Sequence, residues 1–337
     1  MKNLTPLVSV VMAVYNCEKY LARSIQSIVT QTLSNFEFII INDGSTDGTK
    51  EILESFAKDD KRIRIVHQDN YGLSASLNRG CQLAKGQYIA RMDADDISRH
   101  DRLEVQSKML KMHPKAVVCH SLVTIVDSDE RPVLLKGRVG FRLSPWQTRW
   151  TLLWRNCVYH PTVMMRRDIF SKIGFNYCTT AIGCEDYALW CRLSKKYDFI
   201  VADQPLLFYR RHPTSITKNY GETHIQNFSK IIGSNLEQYL SVQLSEAQRR
   251  DLAIISGQTY LHGRQIKLTT NPVLYVAIVE TVISKFNKKH KLDKKTVREI
   301  HQAAARQFMR WAWKTWLISR SAAITFFIAA NRHAIFR

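Results

Sequence analysis

The stretch Leu7-Val8-Ser9-Val10-Val11-Met12-Ala13-Val14-Tyr15-Asn16 decides the fold class. From Leu7 to Val14 every residue but Ser9 is apolar. A strand of this kind is buried on both faces, as in a parallel sheet covered by helices, and does not show the alternation of a half-solvated sheet. Helical spacing follows at once in Leu21, Ile25, Ile28 and Val29. The same alternation then recurs. Phe36 to Ile41 reads as a strand, Ile52, Leu53 and Phe56 as a helix face, Ile63 to Val66 as a third strand, Leu73 to Ala84 as a third helix and Gln87 to Ala90 as a fourth strand. This order predicts an α/β domain with a Rossmann-like, mostly parallel central sheet flanked by helices.

Open parallel sheets bind ligands in the crevice beyond the carboxyl ends of their strands. Here those ends carry the polar residues: Ala13-Val14-Tyr15-Asn16, Asn42-Asp43-Gly44-Ser45 and Asp93-Ala94-Asp95-Asp96. Asp93 and Asp95 can turn their carboxylates to one hard cation such as Mg2+ or Mn2+, which takes one or two protein carboxylates and fills its shell with water and phosphate oxygens. The competing reading is an acidic turn capping a helix that starts near Arg102. An isolated D-x-D would favour the turn; its position directly after an apolar strand favours the metal. Asp43 is likewise a turn residue and a carboxylate able to accept hydrogen bonds from a uracil imide or a ribose.

Seven cysteines without a C-x-x-C pair predict reduced, buried thiols in a cytosolic protein. The first residues, Met1 to Pro6, carry one positive charge and no small-residue cleavage site, so no secretory signal is expected. Beyond about residue 215 the strand pattern gives way to helical patterns interrupted at Gly233, Gly257 and Asn271-Pro272. Net charge is +20, and more than half of it sits in residues 281–337, where thirteen Lys or Arg face only Asp293 and Glu299. Such a block seeks a polyanion, either anionic lipid head groups or nucleic acid, and charge alone does not choose. Phe308, Trp311, Trp313, Trp316, Phe326 and Phe327 lie among Arg306, Arg310, Lys314, Arg320 and Arg332. The most apolar run, Ser321 to Ala330, spans ten residues; a membrane-crossing helix needs about twenty. Basic groups beside tryptophans suit a helix lying in the head-group plane, which makes an anionic membrane surface the expected partner and nucleic acid not. The alternative is a helix that packs its aromatic side on the protein and leaves its charges in water.

Taken in order, Val8 to Asn16, Gln31-Thr32, Phe36 to Asp47, Asn70-Tyr71-Gly72-Leu73-Ser74, Asn78-Arg79-Gly80 and Ala90 to Asp96 resemble bacterial family-2 glycosyltransferases. The resemblance covers about residues 1–215. It implies a GT-A-like fold, a nucleotide-diphosphate sugar donor (UDP-sugar first) and inversion at the anomeric carbon. It divides the chain into a catalytic domain at 1–215, with a nucleotide-sugar half at 1–97 and an acceptor-side half at 98–215, and a basic helical extension at 216–337. Carried over residue by residue, Ala13, Tyr15, Asn16, Asp43, Arg91 and Asp93 would contact the nucleotide, with Asn70, Gly72 and Asn78 in the loop over the donor. Asp93 and Asp95 would be the metal motif, completed by His212, which follows the apolar run Leu206 to Tyr209. A lone histidine after a strand is otherwise a packing residue. Ala13 stands where the family often has proline, so the end of the first strand lacks a fixed φ.

Inverting transfer needs a base for the acceptor hydroxyl. Gly183-Cys184-Glu185-Asp186-Tyr187 resembles the family's acidic pair at a helix start, which implies Asp186 as base and Glu185 as the neighbour orienting the acceptor. Two acids in a first helical turn also simply complement the helix dipole. His160 to Arg167 resembles a further family block, a strand on the acceptor side, with no role assigned to His160. The expected acceptor is a glycan or lipid-linked glycan of surface polysaccharide synthesis, met at the cytoplasmic, inner face of the membrane. Two rival functions compete. A sugar-phosphate nucleotidylyltransferase would show a glycine-rich, basic loop where Met12 to Asn16 stands. A non-catalytic scaffold with a polyanion-binding tail would have no use for Asp43, Asp93, Asp95 and Asp186 together.

Overall fold

The structure, a computed structural model, describes residues 5–133, 139–171, 174, 176–212, 221–256, 268–269, 271–315 and 320–334. Met1 to Leu4, Pro213, Gly257 and Trp316 lie outside them, as does the side chain of Lys314. The chain divides into two compact units. The first comprises Met1–Ser144, Val158–Thr180 and Lys196–Ser215, and the second Pro145–Cys157, Ala181–Lys195 and Ile216–Arg337. Two stretches that precede residue 215 thus belong to the second unit.

The first unit is built on one eight-stranded sheet. Its strands are β1 (Val8–Val14), β2 (Phe36–Asp43), β3 (Ile63–Gln68), β4 (Tyr88–Asp93), β5 (Ile97–Ser98), β6 (Ala116–Val126), β7 (Met164–Arg166) and β8 (Asp198–Arg210), in the order β3-β2-β1-β4-β7-β6-β8-β5. β1 pairs in parallel with β2 on one side and with β4 on the other, so strand order reverses there. That is the position at which doubly wound sheets open a binding crevice. Beyond β4 the sheet is mixed: β7 runs antiparallel to β4 and β6, while β6 and β8 are parallel. The helices α1 (Glu18–Val29), α2 (Thr49–Asp59), α3 (Leu73–Leu83) and α4 (Arg102–Met112) connect or flank these strands. α1 buries Leu21, Ile25 and Ile28, the stripe read from the sequence. They join Val10, Met12, Phe38, Ile40, Ala90 and Met92 in the core. The block at His160 to Arg167 forms a 3-10 turn, His160–Thr162, before β7.

The second unit is helical in its described residues, with α5 (Pro145–Leu152), α7 (Glu185–Ser194), α8 (Gly221–Glu237), α9 (Glu246–Ser256), α10 (Pro272–His290), α11 (Lys294–Thr315) and α12 (Arg320–Ala334); the short α6 (Asp168–Ser171) belongs to the first unit. Local chemistry sets the ends of α10: the Asn271 side chain accepts from the Val273 amide at 3.0 Å, Pro272 opens the helix, and Lys291 ends it at φ 48°. Trp150, Trp154, Trp190 and Trp311 are fully buried, with the Trp154 and Trp311 rings 5.9 Å apart. No described helix is long and apolar enough to cross a membrane. All seven cysteines are thiols outside any disulfide; Cys17 and Cys178 are half-buried and the rest buried.

Gly86, in the turn before β4, lies close against the backbone of β1. A Cβ there would stand 2.5 Å from the Ser9 nitrogen and 2.7 Å from the Val8 carbonyl carbon. Backbone cannot yield as a side-chain tip can. Gly86→Ala is therefore expected to destabilise the protein by about 1–3 kcal/mol, read as a lower midpoint in urea; an unchanged midpoint would show that β1 and the turn before β4 are not so closely packed.

Candidate active site

Parallel register brings the strand ends together. Ala13 pairs with Ile41 on β2 and with Asp93 on β4, so Tyr15, Asn16, Asp43 and Asp93 share one rim. Two ties fix the turn after β1. Asn16 sits at φ 47°, its amide donates to Ser45 Oγ at 3.0 Å, and its Oδ1 accepts from the Thr46 amide at 2.8 Å. Tyr15 projects at this edge, half exposed.

Asp43 is buried at the end of β2. Its Oδ1 accepts from Gln68 Nε2 at 2.7 Å and the Tyr71 amide at 3.0 Å, and its Oδ2 accepts from the Gly72 amide at 2.8 Å. The carboxylate thus shapes the loop at Asn70 to Gly72, in which Asn70 is exposed and Gly72 adopts φ 86°. A carboxylate offers about four acceptor positions, so one remains. Gly44 makes the approach possible: its φ is 75°, and a Cβ there would lie 2.9 Å from the Asn70 nitrogen. Asn78 is occupied otherwise. Its amide group donates to the Tyr177 carbonyl at 2.9 Å and accepts from the Tyr177 amide at 2.8 Å.

The acidic loop after β4 is the electrostatic centre of the rim. Asp93, Asp95 and Asp96 each offer an oxygen within 4.8 Å of the others. Asp96, absent from the metal ligands expected from the sequence, belongs to this group. Two buried arginines hold it, and a third braces the strand before it. Arg91 grips the Asp93 carboxylate through both terminal nitrogens. Arg102, fully buried at the start of α4, donates to the carbonyls of Arg91 at 2.7 Å and Val163 at 3.3 Å. Burial and the neighbouring Arg91 lower its pKa to about 10, which leaves it charged at neutral pH. Arg210, at the end of β8, donates from its backbone to Asp96 Oδ1 at 2.8 Å and from Nε to the Asp95 carbonyl at 2.8 Å. The antiparallel pairing of Ile97 with Phe208 and Ser98 with Leu207 sets β8 against the loop. His212, two residues on, consequently brings Nε2 to 2.9 Å from Asp95 Oδ2, its ring packed on Tyr20.

Burial, with Asp95 and Asp93 adding to it, holds the Asp96 carboxyl well above the usual carboxylate range. Burial, Asp95 and Asp93 likewise push the Cys17 thiol to about 12. Among the described residues the buried Asp96 Oδ2 has no hydrogen-bond partner. Three converging carboxylates, an unsatisfied buried oxygen and an imidazole form a donor set that fits a hard or borderline divalent cation.

Glu185 and Asp186 occupy the first turn of α7, in the second unit. Asp186 Oδ2 accepts from Asn156 Nδ2 at 2.7 Å and Oδ1 from the Tyr187 amide at 2.6 Å. Glu185 is buried and Asp186 half-buried. Asp186 thus stands at the helix start that the sequence placed it in, with its carboxylate held by Asn156 and the Tyr187 amide.

A model of the family described as Glycosyl transferase family 2 matches residues 9–174. An uncharacterised glycosyltransferase of Bacillus subtilis, EpsJ, is 46% identical over 265 residues, 74% of this chain and 75% of that protein. A Haemophilus influenzae uncharacterised glycosyltransferase is 32% identical over 247 residues, 70% of this chain and 75% of that one. Among solved structures, S. aureus TarS 1-349 in complex with UDP-GlcNAc matches with a TM-score of 0.58 at 14% identity, covering 97% of this chain and 91% of that chain. The Pyrobaculum calidifontis mannosyltransferase PcManGT, in complex with GDP-Man and Mn2+, matches with a TM-score of 0.52 at 14% identity, covering 99% and 88%. At such identity the structural likeness speaks for the fold, which is that of GT-A glycosyltransferases, while the sequence relatives carry the family. The chain belongs to glycosyl transferase family 2.

Proposed function

We propose that the protein is an inverting, metal-dependent glycosyltransferase that moves a sugar from a nucleotide-diphosphate sugar, UDP-sugar first, to a hydroxyl of a glycan or lipid-linked glycan in surface polysaccharide synthesis. The observation that carries this reading is the cluster of Asp93, Asp95 and Asp96 with His212 at the carboxyl end of β4. The nucleotide sugars and Mn2+ in complex with the matching structures support the donor class and the cation. A bound Mn2+ or Mg2+ would neutralise charge developing on the departing diphosphate. Asp93, Asp95 and His212 would hold it, and Asp96 would complete the negative field. Tyr15, Asn16 and the remaining acceptor position of Asp43 would meet the nucleoside, with Ala13 and Arg91 beside them and the loop at Asn70 and Gly72 over the donor. Asn78, its amide paired with the Tyr177 backbone, would stand beside the donor on α3. Asp186 would take the proton of the attacking hydroxyl, and Glu185 would orient the acceptor. We propose as well that residues 1–215 form the catalytic domain and that the basic extension at 216–337 keeps the enzyme at the inner face of the cell membrane. The direct experiment offers purified protein a panel of nucleotide sugars with Mn2+ and follows nucleoside diphosphate release; no release with any donor, with and without a glycan acceptor, would overturn the reading.

Asp95→Asn is expected to lower transfer by about 10² or more while removing one charge from a crowded acidic group. In the absence of divalent cation its thermal midpoint should match or exceed that of the wild type. Added Mn2+ should raise the wild-type midpoint and not the variant's. Near-normal turnover by the folded variant would remove Asp95 from the metal site.

Asp186→Asn should keep donor affinity, measured by calorimetry, and lose about 10² to 10⁴ in transfer rate, because an amide has the shape of the acid without its basicity. A cap residue would behave otherwise: activity would fall only with the folded fraction. If Glu185→Gln is inactive while Asp186→Asn stays active, the base is the neighbouring residue.

A further inference from the structure

The last two helices separate their described aromatic residues into two sets. Phe308, Trp311 and Phe326 are buried within the helical unit, with the Trp311 and Phe326 rings 5.3 Å apart. The other set faces solvent. On α11, Arg298, Gln302, Arg306, Met309 and Trp313 are exposed at three- and four-residue spacing, which makes a single stripe. It is cationic toward the start of the helix and apolar at its last turns. On α12, Arg320, Ile324, Phe327, Ile328 and Asn331 form the corresponding stripe. Trp313 is 85% exposed, and Ile324, Phe327, Ile328 and Met309 are each between 45% and 53% exposed.

Scattered exposed hydrophobics are normal on a soluble surface, but five large ones between residues 309 and 328 form a concentration that needs a partner. The charges around them define it. Lys294, Lys295, Arg298, Arg306, Arg320 and Arg332 are exposed on the same two helices, and no acid follows Glu299 in the chain. A second copy of this chain seated on the stripe would oppose cation to cation. Nucleic acid would accept the charges and could stack on Trp313 and Phe327, but it offers nothing to Ile324, Ile328 and Met309. A lipid surface takes both: arginines meet head-group phosphates while the apolar row enters the acyl boundary.

We infer that the exposed stripe of α11 and α12 is a docking face for anionic phospholipid, with Trp313 and Phe327 as its interfacial anchors and Arg306 and Arg320 as its phosphate contacts. The inference deepens the membrane part of the proposed function and rests on that part alone, since none of these residues belongs to the catalytic machinery.

Sedimentation of the full chain with vesicles tests it. The wild type is expected to pellet with phosphatidylcholine vesicles containing phosphatidylglycerol and to stay in solution with phosphatidylcholine alone. Trp313→Ala combined with Phe327→Ala should lower the partition coefficient by about tenfold or more, and Arg306→Gln and Arg320→Gln by about fivefold each. All four side chains are exposed on helices, so the thermal midpoint and transfer to a water-soluble acceptor should not change. Equal pelleting by the wild type and the double variant, or pelleting indifferent to phosphatidylglycerol, would overturn the proposal. So would finding that these substitutions leave vesicle binding intact while abolishing retention on a single-stranded oligonucleotide or dissociating a dimer. If no donor supports transfer, the catalytic reading fails and the vesicle result still decides this one.

Discussion

Like charges within a few ångströms repel strongly once they are partly buried, and the first unit is arranged around one such concentration. Asp93, Asp95 and Asp96 converge within 4.8 Å at the end of β4. No short peptide loop would hold that arrangement alone. Arg91, Arg102 and Arg210, all buried, bind the carboxylate of Asp93, the carbonyls of Arg91 and Val163, and the backbone of Asp95. Much of the sheet's irregular half serves this clamp: the short β5 pairs with β8, and that pairing delivers Arg210 and His212 to the loop. Burial first, and the neighbouring Asp95 and Asp93 after it, raise both the Asp96 carboxyl and the Cys17 thiol.

The donor side of the rim follows the same logic in a milder form. Asp43 makes three hydrogen bonds, to Gln68 and to the loop at Tyr71 and Gly72. Residue type left a choice between turn chemistry and nucleoside contact at this position, and the turn chemistry is present in full. Because one acceptor position remains, the two roles are compatible. A loop held by a carboxylate has a defined shape before any ligand arrives, which reduces the ordering cost of binding.

The first four strands were legible because each is a short apolar run ending in polar residues, and parallel pairing between successive βα units demands little more than that pattern. β2 and β4 each extend two or three residues past the apolar run, into Asn42-Asp43 and Arg91-Met92-Asp93. Burial of those polar ends was not visible in residue type. The chain from Ile97 on was harder, since β5, β7 and β8 pair antiparallel or across long separations that no local period records. Arg210 and Arg211 show the difficulty most clearly: adjacent and chemically identical, one is buried against the acidic loop and the other is exposed. Arg210 is the last residue of β8 and Arg211 the first beyond it, a boundary that residue type does not mark. In the tail, residue type gave the charge but not the division of aromatics, which depends on helical phase: Trp311 and Trp313 are two residues apart and fall on opposite sides of α11.

The central claim is a divalent cation at the acidic loop, held by oxygen atoms of this chain and by one imidazole. Anomalous diffraction from crystals of the wild-type protein grown with Mn2+ and UDP measures that directly. The expected result is one strong manganese peak within coordination distance of Asp93 or Asp95 carboxylate oxygens and of His212 Nε2. A well-ordered nucleotide with no manganese peak at this loop, or a peak coordinated elsewhere, would contradict it.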